Sequence, residues 1–213
     1  MGGAGSRGAG RLMTLDLLLA LVVFCVIATA TPGPNNAMVL ASGATFGFRR
    51  TVPHILGIAL GVAVMIGAVG LGLGAVFRAA PVLYDVLRIV GIAYLLLLAW
   101  RISRSRGLGG DVDGRAKPLG TVGAAAFQWV NPKAWVTVIA LLTAYAPRHH
   151  YLLNVLVVAL VFASVALVSV GVWAAFGIAL AQRLTRPRHL RFFNVAMAAL
   201  LVLSLVPLVT GVE

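Results

Sequence analysis

Two short motifs, Thr31-Pro32-Gly33-Pro34-Asn35-Asn36 and Asn131-Pro132-Lys133, stand inside long apolar runs of this chain, with Pro32 and Pro132 100 residues apart. Proline lacks a backbone donor and clashes with the preceding turn, so each motif breaks a helix and leaves polar main-chain groups unpaired. In hydrocarbon such groups persist only where protein or a wet cavity satisfies them. The chemistry that suits these residues is recognition. A helix restarting at Pro34 offers free N–H groups and the positive end of its dipole to a carboxylate. Asn35 and Asn36 both donate and accept, as a zwitterionic ligand requires. The second motif repeats this logic with Asn131 and adds a cation, Lys133, whose nearest charged neighbours along the chain are Lys117 and Arg148. A charge so placed lies near mid-membrane, costs roughly 3 kcal/mol or more, and by default marks a pathway. Lys133 would attract a substrate carboxylate or change protonation during a cycle, and Gln128, one turn earlier, would line the same cavity. The competing reading is a pair of Asn-capped proline kinks with no ligand, and a lysine that snorkels to an interface. One interruption in each half favours a binding site. The candidate substrate-binding set is Pro32, Gly33, Pro34, Asn35, Asn36, Gln128, Asn131, Pro132 and Lys133.

The elements that must hold these residues are membrane spans. Of 213 residues 61% are hydrophobic and 10% charged, against roughly 25% charged in a soluble domain, and mean hydropathy is +1.03. Six apolar spans fall at about 14–46, 52–77, 82–101, 119–146, 151–181 and 191–210. A straight helix over the first would run on the order of 50 Å, longer than the roughly 30 Å hydrocarbon core, so it must kink or re-enter at Pro32 and Pro34. Arg7, Arg11, Arg78 and Arg148 lie on one side of the spans. Arg49, Arg50, Arg101, Arg104, Arg106, Arg115, Lys117, Arg183, Arg186, Arg188 and Arg191 lie on the other. The positive-inside rule makes the second side cytoplasmic and puts both termini outside. The expected fold is an all-α membrane protein: six transmembrane helices as two inverted three-helix halves, with the first and fourth helices proline-broken. Residues 1–12 read as a disordered N-terminal extension, with Met13 an alternative start. The transmembrane domain, 13–213, divides into halves 13–101 and 119–213 joined by a charged, Gly-rich cytoplasmic linker, 102–118. Gly57-x3-Gly61 and Gly70-x3-Gly74 read as surfaces where helices approach closely.

The remaining chemistry-bearing residues have plainer readings. The net charge of +12 sits between apolar spans without a recognition motif, which argues against nucleic acid. Cys25 alone forms no internal disulfide and packs as a small residue. Asp16 fits a helix start; Asp85 and Arg88 can pair on one helix face. His54, just inside the cytoplasmic end of the second span, can titrate but needs no special role there. His149 and His150 lack the further ligands of a zinc site. Trp129 and Trp135 flank the second break and either wall a cavity or simply pack. With no metal, P-loop or nucleophile-elbow pattern the chain is read as cofactor-free and not an enzyme, so transport would run on a gradient.

Ala30-Thr31-Pro32-Gly33-Pro34-Asn35-Asn36, followed by Gly47-Phe48-Arg49 and Leu56-Gly57-Ile58-Ala59-Leu60-Gly61, resembles the opening signature of the LysE/RhtB family of amino-acid exporters. Gly91-Ile92-Ala93-Tyr94-Leu95 through Trp100-Arg101, and Phe127-Gln128-Trp129-Val130-Asn131-Pro132-Lys133-Ala134, are similar to further family motifs. The resemblance covers nearly the whole chain from about Met13. It implies a multi-pass secondary exporter of amino acids or close derivatives in the bacterial plasma (inner) membrane, with protons as the coupling ion. Ala116-Lys117-Pro118, Phe127-Gln128 and Trp173 through Leu184 look most like the cysteine/O-acetylserine exporters; homoserine, threonine, lysine and arginine exporters stay open. The implied partners are a small amino-acid substrate, the lipid bilayer and protons, with a homo-oligomer admissible. The rivals are a non-transporting membrane scaffold and, less well supported, a membrane-embedded enzyme.

Overall fold

The computed structural model describes residues 13–73, 81–104, 118–183, 186–203 and 205–206. These residues form eight α-helices and no strand: α1 Leu15–Ala30, α2 Pro34–Phe46, α3 Phe48–Ala68, α4 Pro81–Arg104, α5 Thr121–Val130, α6 Pro132–Tyr145, α7 Tyr151–Arg183 and α8 Pro187–Leu203. α3 and α7 are long and apolar enough to cross a membrane, and α1 with α2 is a third such unit if the bent pair is one span. The N-terminal extension, most of the linker (105–117), and the side chains of Asp85 and Arg88 lie outside the described residues.

Helix boundaries follow local chemistry. α1 starts at Thr14, whose Oγ1 accepts from Leu17 N at 3.4 Å, with Asp16 in the first turn where the dipole favours an anion. α1 ends at Ala30, α2 begins with Pro34 in its first turn, and the two axes bend by 61°. α5 ends at Val130, and α6 begins with Pro132 behind an Asn131 N-cap. Proline suits a first helical position because the N–H it lacks would have had no partner there. α3 continues beyond Ala68 as a π-type turn, Val69–Leu73. α4 runs to Arg104, into the stretch read from sequence as linker, and buries Ile102.

The longest helix organises the rest. α7 packs along α1, α2 and α3, while α3 also lies on α5, and α4 on α8. The main core joins Leu21 and Cys25 of α1, Val62 and Met65 of α3, Val138 and Leu141 of α6, and Val158 and Phe162 of α7. A second cluster joins Ala37 of α2 to Ala99 and Ile102 of α4 and to Met197 and Leu201 of α8. The outer faces are apolar too: Leu15, Leu19, Val23 and Ile27 on α1, and Leu152, Leu156, Leu160 and Val168 on α7, are exposed. Apolar surface on this scale is what lipid, not water, would cover.

Close approach makes the packing possible. A Cβ on Gly177 would meet the Leu40 carbonyl, and one on Gly43 would meet that of Ala174, so α2 and α7 touch backbone to backbone. A Cβ on Gly57 would meet Thr121 O and Ala124, and one on Gly61 would meet Ala125, which is how α3 takes α5. Small residues are the means by which helices in lipid gain contact. Gly70 abuts Val155, whereas Gly74 lies outside the described residues.

Candidate functional site at the meeting of two helix breaks

The two proline breaks face each other. Lys133, in the first turn of α6, reaches across to α1 and donates from Nζ to the Thr31 carbonyl at 2.7 Å. Thr31 caps the carbonyl end of α1, where the helix dipole is negative, so a cation is favoured there. Asn35 and Gln128 form a reciprocal amide pair: Asn35 Nδ2 donates to Gln128 Oε1 at 2.9 Å, and Gln128 Nε2 to Asn35 Oδ1 at 3.1 Å. Gln128, fully buried, also donates to Ala124 O at 2.9 Å. Each break is thus tied to the other by side chains 93 and 102 residues apart in sequence.

The other polar residues hold the broken backbone. Asn36 Nδ2 donates to Thr29 O at 2.8 Å and to Thr31 O at 2.9 Å, answering the last carbonyls of α1. Asn131 Oδ1 accepts from Lys133 N at 3.2 Å, and Thr137 Oγ1 donates to Lys133 O at 2.7 Å. In α2, Pro34 has no N–H, and Ala37 N makes the opening bond to Gly33 O at 3.0 Å. The first-turn N–H groups before it point out of the helix start.

Between the breaks lies a cavity of about 40 Å³. Gly33, Pro34, Asn35, Asn36, Asn131 and Lys133 line one side; Ile58 and Val62 of α3 with Phe162 and Val170 of α7 line the other. Six of the nine candidate residues therefore meet at one space. The remaining three stand around it: Gln128 behind Asn35, Pro32 in the turn, and Pro132 buried beside α4 at Gly91. Trp129 and Trp135 pack edge to face at 5.8 Å, with Trp135 Nε1 on Trp129 O, and do not line the cavity. Sequence reasoning missed the Thr31 carbonyl, Thr29, Thr137 and the apolar wall from α7. The carbonyl could not be found, because every residue has one.

The half-buried Lys133 has no carboxylate partner among the described residues. Its charge is met by a carbonyl dipole alone, which leaves the site positive and short of one anion. Gly33 leaves room for it, since a Cβ there would stand 3.0 Å from Lys133 Cδ and 3.1 Å from Nζ. The obstructing atoms are the flexible end of a side chain, so Gly33→Val should fold. It should also drive the ammonium off Thr31 and weaken substrate affinity by about 1.5–3 kcal/mol, on the order of tenfold to a hundredfold. Substrate titration of the folded variant checks this.

The family model for LysE type translocators matches residues 26–210, a stretch that includes both breaks. The chain belongs to the LysE family. Curated relatives agree over nearly their whole length. A cysteine/O-acetylserine efflux protein of Escherichia coli (strain K12) is 36% identical over 194 residues, covering 89% of this chain and 96% of the relative. One of Salmonella typhimurium (strain LT2) is 34% identical over 193 residues, with the same coverage. No solved structure matches the chain significantly. This LysE-family chain is accordingly a multi-pass membrane translocator.

Proposed function

We propose that the protein is a proton-coupled exporter of a small neutral amino acid or close derivative, of the cysteine and O-acetylserine kind, out of the cytoplasm across the bacterial plasma membrane. The observation that carries this is the Lys133 ammonium, without a carboxylate partner among the described residues, at a cavity where two helix breaks meet. A substrate carboxylate would replace the Thr31 carbonyl on Lys133 Nζ and accept from the first-turn N–H groups of α2. The substrate ammonium would be met by the amide oxygens of Asn35 and Asn131 and by the carbonyls that end α1. The apolar wall of Ile58, Val62 and Phe162 suits a short side chain. A dibasic substrate would bring two positive charges to a site with no carboxylate among its described lining residues.

In this reading the two breaks lie in the first and fourth of six spans and the halves are inverted; the Lys and Arg distribution supports both termini facing outside. Alternating access would then move one half against the other about the breaks. In the Lys133–Thr31 bond the protein itself supplies the oxygen that a substrate carboxylate would replace. The test is accumulation of radiolabelled O-acetylserine and a panel of amino acids in inside-out membrane vesicles, with and without an acid interior. Accumulation above control vesicles, enhanced by the pH gradient, is expected. Folded protein that accumulates none of them would return the scaffold reading.

A further inference from the structure

One buried titratable side chain is left unused by the cavity. His54 of α3 is 2% exposed, and neither Nδ1 nor Nε2 has a hydrogen-bond partner among the described residues. From its place near a span end the sequence suggested an interfacial histidine; the structure instead sinks it into the packed face of the helix. Along α3 it stands four residues before Ile58, which lines the cavity, and three after Thr51, on the same buried stripe. Thr51 Oγ1 donates to Gly47 O at 2.9 Å and lies 3.0 Å from Ser42 Oγ, so the Ser42 hydroxyl must donate to Thr51. Thr51, His54 and Ile58 thus form a file along one buried face of α3, from the turn after the Gly47 corner to the cavity wall.

We infer that His54 is the proton-carrying residue that couples transport to the proton gradient, an inference that rests on the export reading above. Imidazole is the side chain whose charge ordinarily changes near neutral pH. A polar group buried without a partner is already costly, and the same group ionised is far more so. The buried, unpartnered position therefore holds the neutral ring, and protonation of His54 and burial of the ring exclude each other. Few other groups could take this part. Of the helices packed on α3, α2 and α5 carry no titratable residue, α6 brings Lys133 and Tyr145, and α7 has only Tyr151 and Arg183 near its ends. On α3 itself Arg49 and Arg50 are exposed at the helix start.

The cycle balances with one proton. After cargo leaves outside, a proton entering through the cavity adds to an imidazole nitrogen. The imidazolium, unable to stay buried unpaired, favours opening of the file toward the Gly47 corner, the side that the charge distribution makes cytoplasmic. There it gives the proton to water, and the neutral ring admits closure around the next cargo molecule. No bond other than N–H forms or breaks.

His54→Leu separates this role from packing. Replacing an unpartnered buried ring with an apolar side chain should leave thermal stability equal or higher. In reconstituted vesicles, exchange of labelled for unlabelled O-acetylserine without a gradient should survive, while accumulation driven by a pH gradient should fall until internal and external concentrations are equal. Gradient-driven accumulation equal to wild type would overturn the inference. So would loss of exchange as well, which would make His54 a binding residue, or failure of the variant to fold, which would make it structural. Wild-type vesicles report separately: if they move no cargo, the export reading fails first.

Discussion

Lys133→Ala should abolish efflux while the protein inserts and folds normally. Lys133 makes one side-chain bond, to Thr31 O, and that carbonyl keeps Asn36 Nδ2 as a donor at 2.9 Å. Removing the ammonium therefore leaves no buried acceptor orphaned, and it takes a half-buried charge out of an apolar helix. Stability should hold or rise. Function should not, because Lys133 is the only cation among the described residues that line the cavity, and the group that a carboxylate would seek. A hydrogen bond to a charged partner contributes about 1.5–3 kcal/mol, so affinity should fall on the order of tenfold to a hundredfold, enough to take efflux to background at ordinary cargo levels. The check is the intracellular and extracellular amino-acid pools of cells expressing matched amounts of each protein, with Lys133→Met as a partner that keeps the aliphatic stem.

Gly177→Val should do the reverse, costing the fold itself. A Cβ at Gly177 would run into the Leu40 carbonyl of α2, and backbone cannot swing aside as a side chain can. α2 and α7 would have to part along the contact where Gly43 meets Ala174. Overpacking of this kind costs about 1–3 kcal/mol, occasionally more. In a chain of this size each kcal/mol moves the midpoint by about 2–4 °C. The consequence reaches the cavity, because α2 carries Pro34, Asn35 and Asn36 at its other end. Gly67→Val is the matched control, since nothing lies within 4 Å of a Cβ there. Thermal unfolding of the two purified variants, followed by size-exclusion chromatography, should separate them clearly.

Much of the geometry of the candidate site was legible from residue types. Pro34 and Pro132 announced where helices restart, because proline tolerates a first turn and little else in a helix. Lys133 stood out because a charge in apolar sequence is rare for an energetic reason. The glycine spacing on α3 announced a close helix contact, and α5 takes it. Other parts were hidden, each for a physical cause. The Asn35–Gln128 pair spans 93 residues, and nothing local in either amide names its partner. The Thr31 carbonyl became special only through the end of α1 and the reach of Lys133. α7 reads as uniformly apolar, so its service to α1, α2 and α3 at once is a matter of tertiary packing. His54 reads as interfacial from its distance to a span end, yet it lies on the buried face of α3, which only tertiary packing decides.

The export reading and the site reading meet in a single binding experiment. Loss of transport can come from failed recognition or from failed movement, and only recognition is claimed for the paired breaks. Equilibrium binding of radiolabelled O-acetylserine, or of whichever amino acid the vesicle panel selects, to purified wild-type, Lys133→Ala and Gly33→Val protein isolates it. The account predicts saturable binding by wild type and a drop on the order of tenfold to a hundredfold in both variants, with folding intact. Equal affinity in wild type and Lys133→Ala would contradict it and move the cargo site away from the helix breaks.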